Sequence, residues 1–257
     1  KELRYSYNDV SIIPAKVSGI EHRSDCCPYI YNYNGVDFLP LITAPMTSVV
    51  GMDNYEKYLG NGIIPILPRG TSLDDRLGTH QVWSAYSLAE VESVFLASKL
   101  NSAVDFCSWS FNILIDIANG HMQKLYDVVS RLKKKRGPSV RIMVGNIANP
   151  ETDEVCEAAG VDYVRVGIGS GRGCITSSNV SVHYPMASLI EETYLVKKKI
   201  HGKCKIVADG GIRNYSDVIK ALALGADYVM IGSVFAKMLE SSAPICDVSG
   251  NILRASD

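Results

Sequence analysis

The chain has 257 residues, of which 47% are hydrophobic and 21% are charged, and its formal net charge is −1 from 26 basic and 27 acidic residues. This is the composition of an ordinary globular protein, and it excludes long intrinsic disorder and collagen-like repeats. Because neutralising nucleic-acid phosphates needs a clear basic excess, the balanced charge argues against nucleic acid as a main partner.

The chain contains 7 cysteines, an odd number, and none of them forms a CxxC pair. This pattern argues against a structural zinc site and against a disulfide framework. We therefore expect a reduced, cytoplasmic protein in which one thiol is chemically active. No apolar run approaches the ~20 residues needed to cross a bilayer, and the polar N-terminus lacks the apolar core of a signal peptide, so no membrane partner is expected.

Short β-branched or apolar runs alternate along the chain with stretches that can form helices. Several of the runs are apolar on both faces, as expected for buried parallel strands. Gly160 and Gly225 predict helix ends, because each precedes one of these runs. The predicted strands are 41–44, 63–67, 82–86, 113–117, 141–144, 163–166, 205–208 and 228–231, and the predicted helices are 52–59, 72–77, 88–99, 121–135, 152–159, 185–200 and 216–224.

Repeated alternation of eight strands with helices predicts an α/β fold, a parallel eight-stranded (β/α)8 TIM barrel. A doubly wound open sheet is the alternative, but it rarely needs eight units, and no GxGxxG turn follows the first strand. No linker is evident, so we expect one domain over residues 1–257. In such a barrel the active site lies at the C-terminal ends of the strands.

The strongest local signal is the glycine-rich segment 167–176, which has four glycines in seven residues and includes Cys174. Glycines allow backbone amides and carbonyls to turn inward around a phosphate or a cation. Arg172 lies beside Cys174, and a nearby guanidinium favours the thiolate, which is the nucleophilic form. The alternative is a flexible loop with an idle cysteine.

A second signal is Asp209, followed by Gly210 and Gly211, with Gly232 and Ser233 after the next predicted strand. The turns after strands seven and eight of a barrel often hold a phosphate with backbone amides. The Asp209 carboxylate can accept hydrogen bonds from two ribose hydroxyls. Together these residues predict a nucleoside monophosphate site, although Asp209 could instead cap the following turn.

A third signal is Asp116, which ends a predicted buried strand, where its charge must be solvated or paired. A ligand rich in hydroxyls is a natural partner, and the alternative is an N-cap for the next helix. Of the 5 histidines only His121 lies in a candidate site, and no HxxH or HExxH pair is present. We expect each histidine to be a surface or hydrogen-bonded residue.

The sequence resembles the IMP dehydrogenase/GMP reductase family over most of its length. Seven ordered motifs carry the resemblance. They are YNDVSIIPA from Tyr7, APM from Ala44, DIANG from Asp116, MVGN from Met143, VGIGSG from Val166 with CIT from Cys174, ADGG from Ala208, and MIGS from Met230. The resemblance implies the same barrel fold.

The resemblance also implies a mechanism in which Cys174 attacks purine C2 and forms a covalent thioimidate, with hydride transfer between this adduct and a nicotinamide cofactor. The family has Ser where this chain has Arg172, and an arginine can clamp phosphate through two hydrogen bonds. The implied substrate-binding residues are Met46 at the base, Asp209 at the ribose, and Arg172, Gly211, Gly232 and Ser233 at the phosphate, and the set also includes Gly210.

The same resemblance implies a second set of residues for the cofactor and for a monovalent cation. Asp116 and Asn119 would contact the nicotinamide riboside. A potassium ion would be held by the backbone carbonyls of three residues of the glycine loop. The cofactor-binding set is Asp116, Ala118, Asn119, Gly167 and Arg254, and the cation-binding set is Gly169, Gly171 and Cys174.

The branch of the family is indicated by three features. Between Arg69 and the third predicted strand there is no room for the tandem regulatory (CBS) insert of the dehydrogenases, and the DIANG motif resembles the reductase form. Thr176 and Asp257, the latter replacing a family Glu, match the residues that handle the ammonia proton. We therefore expect a homotetrameric, NADPH-dependent GMP reductase that converts GMP to IMP and ammonia.

Several alternatives stay open at this point. An IMP dehydrogenase-like enzyme would oxidise IMP to XMP with NAD, and a non-catalytic purine nucleotide-binding protein would show no hydride transfer. NADH could replace NADPH, and a modified purine nucleotide could be the natural substrate.

Overall fold

The structure, a computed structural model, describes residues 3–97, 110–169, 181–246 and 252–254. Within these ranges strands and helices alternate. The strands are β1 (Tyr31–Tyr33), β2 (Val36–Phe38), β3 (Leu41–Thr43), β4 (Ile66–Leu67), β5 (Trp83–Tyr86), β6 (Phe111–Asp116), β7 (Val140–Ile147), β8 (Tyr163–Val166), β9 (Lys205–Asp209), β10 (Tyr228–Ile231), β11 (Ile245–Cys246) and β12 (Ile252–Arg254). The helices are α1 (Tyr55–Gly60), α2 (Leu73–Gly78), α3 (Leu88–Glu90, continuing as a π-helical segment over Val91–Leu96), α4 (Gln123–Arg136), α5 (Thr152–Ala159), α6 (Met186–Ile200) and α7 (Tyr215–Ala223).

Eight parallel strands, β3 to β10, form one sheet in the order β3-β10-β9-β8-β7-β6-β5-β4. A parallel bridge between Ile42 and Ile64 joins the first strand to the chain entering β4, so the sheet closes on itself. The Thr43 hydroxyl strengthens this seam by accepting the backbone N–H of Ile66 at 2.9 Å. The predicted (β/α)8 barrel is therefore confirmed, and the open doubly wound sheet is wrong.

Successive residues of each strand alternate between the barrel interior and the helix layer, as the two-residue period of a strand requires. Val207 belongs to the interior cluster, whereas its neighbours Ile206 and Ala208 pack in the larger cluster outside. The interior cluster is completed by Phe38, Ile42, Ala44, Ile64, Ile66, Trp83, Ala85, Leu114, Met143 and Met230, with Val36, Leu59, Tyr163 and Tyr228 packed against it.

The N-terminal ends of the strands are closed by aromatic side chains that begin their strands. The rings of Trp83 and Tyr163 are 5.0 Å apart at an edge-to-face angle of 81°. The rings of Tyr163 and Tyr228 are 5.6 Å apart. Such pairs add a favourable geometry to the burial of a large apolar surface. We call this group, Trp83, Tyr163 and Tyr228, the apolar end of the barrel.

The helices pack on the outside of the barrel through apolar stripes. In α4 the buried residues Leu125, Val128, Val129 and Leu132 recur at the spacing of one helical face. Helix α5 ends at Gly160, which has φ +81° and adopts the left-handed conformation that glycine favours. The helix end that the sequence predicts at Gly160 is therefore confirmed.

Two equivalent aspartates tie helices to strands near the apolar end. Asp162 precedes β8 and accepts the Lys133 ammonium at 2.5 Å, while Asp227 precedes β10 and accepts the Lys197 ammonium at 2.8 Å. Each of these carboxylates also accepts a backbone N–H from the preceding strand of the chain. The repeated Asp-Tyr pair at the start of β8 and β10 thus has a structural role.

Of the predicted elements whose bounds differ from the structure, two differ for identifiable local reasons. The predicted strand 63–67 shortens to β4, because Pro65 has no N–H to donate to a neighbouring strand. The predicted helix 88–99 is α-helical only at its start and then becomes π-helical, and its last two residues, 98 and 99, lie outside the described ranges.

Two short antiparallel pairs, β1–β2 and β11–β12, lie outside the barrel sheet and are absent from the sequence predictions. The β1–β2 turn contains Asn34 and Gly35, both with positive φ, which is the usual chemistry of a tight hairpin. Across the described ranges, none of the helices combines the length and the apolar character that crossing a bilayer requires.

Candidate active site

Three charged side chains meet inside the barrel at the C-terminal ends of β6, β8 and β9. The guanidinium of Arg165 donates from Nη1 to Oδ1 of Asp116 at 2.6 Å. It also donates from Nη2 and Nε to Oδ2 of Asp209, at 2.8 and 3.2 Å. We call Asp116, Arg165 and Asp209 the charged end of the barrel.

Arg165 is the most buried member of the charged end, with its side chain 8% exposed. Burial alone would lower its pKa, but the carboxylates of Asp209 and Asp116 raise it above the ordinary arginine value. The guanidinium therefore stays charged and balances one of the two negative charges beside it.

Within the part of the chain that the structure describes, each carboxylate of the charged end has one oxygen without a hydrogen bond. Among the described residues, the hydrogen bonds to Asp209 all go to Oδ2, from Arg165 and from the Asn146 amide at 2.7 Å. Asp116 accepts at Oδ1 only, and its side chain is 29% exposed. Oδ1 of Asp209 and Oδ2 of Asp116 are thus available to accept hydroxyl donors from ligands.

Among the described residues, the hydrogen bonds to the carboxylates of Asp116 and Asp209 come from side chains, so neither aspartate caps the turn or helix that follows it. Asn214 caps α7, and it does so in a reciprocal pair with Asp217. Helix α4 begins after Met122, which makes no side-chain capping bond, and Asp116 lies well before it. Both Asp116 and Asp209 face Arg165 instead.

Two glycines allow the strands to approach one another around Arg165. A Cβ on Gly145 would lie 2.6 Å from the Arg165 carbonyl oxygen, and a Cβ on Gly167 would lie 2.1 Å from the Asp209 carbonyl oxygen. Both residues also have positive φ, +144° and +142°. Close backbone contact therefore accounts for these glycines, including Gly167, which the sequence assigns to cofactor binding.

The turn after β9 borders a cavity of about 220 Å³. Gly210 and Gly211 have φ +114° and +75°, and Gly211 packs against the ring of Tyr7. The cavity is also lined by Gly169 and by the cationic or titratable side chains of Arg213 and His183. The Tyr7 hydroxyl is buried without a partner among the described residues.

Met46, Gly232 and Ser233 come together at another corner of the rim, because β3 and β10 are neighbours in the sheet. The Met46 sulfur would lie 3.3 Å from a Cβ on Gly232, and Met46 itself is exposed. Ser233 is half-buried in the turn that follows. These residues therefore lie at the C-terminal ends of neighbouring strands, next to the β9 turn.

Ala118 and Asn119 lie exposed in the loop after β6, next to Asp116. Arg69 reaches the same loop and donates to the Asp116 carbonyl at 3.4 Å. His121 has both ring nitrogens engaged, Nδ1 with the Thr152 hydroxyl at 3.0 Å and Nε2 with the backbone N–H of Ala148 at 3.1 Å. The prediction that His121 is a hydrogen-bonded histidine is confirmed.

Several predicted site residues lie outside the described ranges. Of the predicted cation set the structure describes Gly169, and for Arg254 it gives the backbone of β12, where Arg254 pairs with Ile245. The predicted residues outside the described ranges are Gly171, Arg172, Cys174, Thr176 and Asp257.

Two residues were absent from the predicted site, namely Arg165 of the charged end and Asn146 beside it. Asn146 bridges the carbonyl of Gly167, at 2.8 Å, and the carboxylate of Asp209. A signal for Arg165 was present in the sequence, since a single charge within the strand Tyr163–Val166 needs a buried partner. Asp116 and Asp209 are those partners.

Comparison with known proteins places the chain among enzymes of purine nucleotides. The model of the IMP dehydrogenase / GMP reductase domain matches residues 98–256. A protein named GMP reductase from Lysinibacillus sphaericus is 30% identical over 255 residues, which cover 96% of this chain and 75% of that protein. GMP reductases of Streptococcus suis and Streptococcus equi are 30% and 29% identical, each over 96% of this chain and 74% of the relative.

The domain match spans more than half of the chain, and the relatives align over most of both lengths. The barrel is also the fold that the resemblance to this family implies. The chain therefore belongs to the IMP dehydrogenase/GMP reductase family.

Proposed function

We propose that the protein is a purine nucleotide oxidoreductase of the GMP reductase type, which converts GMP to IMP and ammonia with NADPH. The observation that carries the proposal is the pair of carboxylates at the charged end. Asp116 and Asp209 lie on either side of Arg165, and each has one oxygen that accepts no hydrogen bond from the described residues. Two neighbouring carboxylate acceptors suit two ribose-bearing ligands held side by side.

On the nucleotide side, Oδ1 of Asp209 accepts the ribose hydroxyls, since its other oxygen is held by Arg165 and Asn146. Met46, in the loop that follows β3, faces the base. The phosphate is bound by Arg172 and by the turns that contain Gly210, Gly211, Gly232 and Ser233, because positive-φ glycines turn backbone amides toward an anion.

On the cofactor side, the residues present fit a nicotinamide dinucleotide. The partly exposed Asp116 carboxylate offers Oδ2 to ribose hydroxyls, and the exposed Asn119 offers an amide beside it. Ala118, Gly167 and Arg254 complete the proposed cofactor set. When bound, the reduced nicotinamide supplies the hydride that takes the place of the amino group at purine C2.

The chain itself supplies the nucleophile and the proton path. The Cys174 thiolate forms a carbon–sulfur bond to C2 of GMP, and the C2–N bond breaks as Thr176 and Asp257 deliver a proton to the departing ammonia. The carbon–sulfur bond breaks when C2 is reduced, which releases IMP and restores the thiolate. The backbone carbonyls of Gly169, Gly171 and Cys174 would hold a potassium ion.

We further propose that residues 1–257 form one catalytic domain that assembles into a homotetramer. Ile13 and Val17 of the N-terminal segment are 84% and 83% exposed, which is costly for an isolated molecule. A reducing compartment such as the cytoplasm suits an enzyme that depends on a free thiol.

The test follows nicotinamide absorbance while each purine monophosphate is paired with each cofactor. GMP with NADPH should consume reduced cofactor, and Cys174→Ala should slow this reaction by at least about 10³-fold while GMP still binds. Cys26→Ala, which removes an exposed cysteine outside the barrel, is the matched control and should keep the rate.

Three outcomes would overturn the proposal. Formation of reduced cofactor from IMP and NAD would assign the dehydrogenase activity instead. Nucleotide binding without hydride transfer in any pairing would favour a non-catalytic protein. A near-normal rate in Cys174→Ala would exclude the covalent mechanism.

A further inference from the structure

We propose that Arg165 is a positioning residue that couples the two ligand sites, so that binding of the nucleotide at Asp209 increases the affinity for the cofactor at Asp116, and the reverse. This inference rests on the proposed function, because it takes the two carboxylates as contacts of two different ligands. It goes further by assigning the coupling between the ligands to one side chain.

The geometry singles out Arg165 because its guanidinium contacts both carboxylates at once. One edge, Nη1, holds Asp116 at 2.6 Å, and the other, Nη2 with Nε, holds Asp209 at 2.8 and 3.2 Å. The guanidinium is planar and rigid, so a movement of one edge displaces the other. The side-chain amide of Asn146, by contrast, donates among the described residues to Asp209 and to the Gly167 carbonyl, and not to Asp116.

Burial keeps the Arg165 guanidinium between the two carboxylates. Its side chain is 8% exposed, and those of Asp209 and Asp116 are 17% and 29% exposed. A buried guanidinium that left either carboxylate would leave a buried charge without a partner, which is costly. The backbone around it is also crowded, since a Cβ on Gly145 would overlap Arg165 itself.

The sign of the coupling follows from ordering. A ribose bound to Oδ1 of Asp209 restricts that carboxylate, and the shared guanidinium transmits the restriction to Asp116. The second ligand then meets a carboxylate that is already oriented and loses less conformational entropy on binding. Because binding couplings are reciprocal, the cofactor raises nucleotide affinity by the same factor.

The experiment measures the dissociation constant of GMP by calorimetry, with and without saturating NADP+, in a Cys174→Ala background that prevents turnover. We expect NADP+ to tighten GMP binding by at least about fivefold with Arg165 in place. In Arg165→Gln, and in Arg165→Lys, which keeps the charge but loses the two-edged guanidinium, the factor should fall to below about twofold.

Asn146→Ala is the matched control, since it removes a bond to the same oxygen of Asp209 without touching Asp116. It should weaken GMP binding and leave the coupling factor unchanged. If Arg165→Gln does not fold, Arg165→Lys decides the question alone.

The outcomes separate this inference from the proposed function. An unchanged coupling factor in Arg165→Lys, or independent binding of GMP and NADP+ with Arg165 in place, overturns the coupling while leaving the two sites intact. Loss of the factor in Asn146→Ala as well would also overturn it, by assigning the coupling to Asp209 rather than to Arg165. Failure of GMP and NADP+ to bind at all contradicts the proposed function itself.

Discussion

The two ends of the barrel interior come from the same strands but have opposite chemistry. Strand β8 contributes Tyr163 to the apolar end and, two residues later on the same face, Arg165 to the charged end. Strand β9 runs between the same two environments and ends at Asp209. A change of residue type along one interior face is therefore enough to separate a packed core from a binding site.

The comparison also separates what stabilises the fold from what serves ligands. The aromatic side chains of the apolar end bury large surfaces, which is the main favourable contribution to folding. The charged end requires three ionised groups to lose water, and an ion pair in that position contributes little net stability. We therefore expect substitutions at the two ends to affect different measurements.

The largest effect is expected at the apolar end. Trp83→Ala should lower the free energy of unfolding by about 3–5 kcal/mol, because it removes a buried aromatic side chain and leaves a cavity beside Tyr163. Urea denaturation measures this loss. The affinity of the folded protein for GMP should change by less than about twofold, since Trp83 lies at the opposite end from the proposed site.

Trp83→Phe is the control for this substitution, because it keeps an aromatic ring at the apolar end. It should lose less than about half as much stability as Trp83→Ala. If Trp83→Ala instead weakens GMP binding strongly while stability is retained, the division between the two ends is wrong.

The next largest effect is a loss of GMP affinity, and it is expected at the charged end. Asp209→Asn should raise the dissociation constant of GMP by about 30- to 100-fold, or about 2–3 kcal/mol, because the ribose hydroxyls lose an ionised acceptor. Calorimetric titration with GMP measures the change. The free energy of unfolding should fall by less than the free energy of GMP binding does, since Arg165 keeps Asp116 as a partner.

Asp227→Asn is the matched control, because Asp227 is also ion-paired but precedes β10 at the apolar end. It should lower stability by about 1 kcal/mol through the loss of its contact with Lys197, without affecting GMP affinity. Equal losses of GMP affinity in Asp209→Asn and Asp227→Asn would contradict a site confined to the charged end.

Much of the barrel could be predicted from the sequence because its signals are local. The strands Tyr163–Val166 and Tyr228–Ile231 and the helix Thr152–Ala159 have the predicted bounds, since apolar runs and glycine helix ends mark them. The β1–β2 hairpin was missed although Asn34 and Gly35 carry its turn signal, because its strands are short and exposed.

The charged end could be predicted only in part. Asp116 and Asp209 follow apolar runs, so their positions at strand ends are visible in the sequence. Arg165 lies inside a strand, where a charge is typical of a solvated face, and only the closure of the barrel turns that face inward. Its two partners come from strands 49 and 44 residues away in sequence, a distance that no local pattern spans.

One carboxylate away from the charged end tests whether ligand binding explains every carboxylate that the fold removes from water. Asp153 lies on α5, outside the barrel interior, and is fully buried, and neither of its carboxylate oxygens has a partner among the described residues. Burial raises its pKa to about 6, and the nearby Lys197 lowers it only in part. Asp153 therefore destabilises the fold whenever it is ionised.

The direction of the pH dependence follows from the raised pKa. Between about pH 4 and pH 6 the folded state binds more protons at Asp153 than the unfolded state does. The free energy of unfolding therefore falls as pH rises through that window, and above about pH 6 the loss stays constant. Asp153→Asn removes the charge and should raise the free energy of unfolding at pH 8 by about 1–2 kcal/mol, with no gain at pH 4. Urea denaturation at both pH values measures the difference, with the exposed neighbour in Glu154→Gln as the control. A loss of GMP affinity in Asp153→Asn would show that this carboxylate serves a ligand, as those of the charged end do. Equal stability changes at both pH values would show that the unpaired charge of Asp153 is not what destabilises the fold.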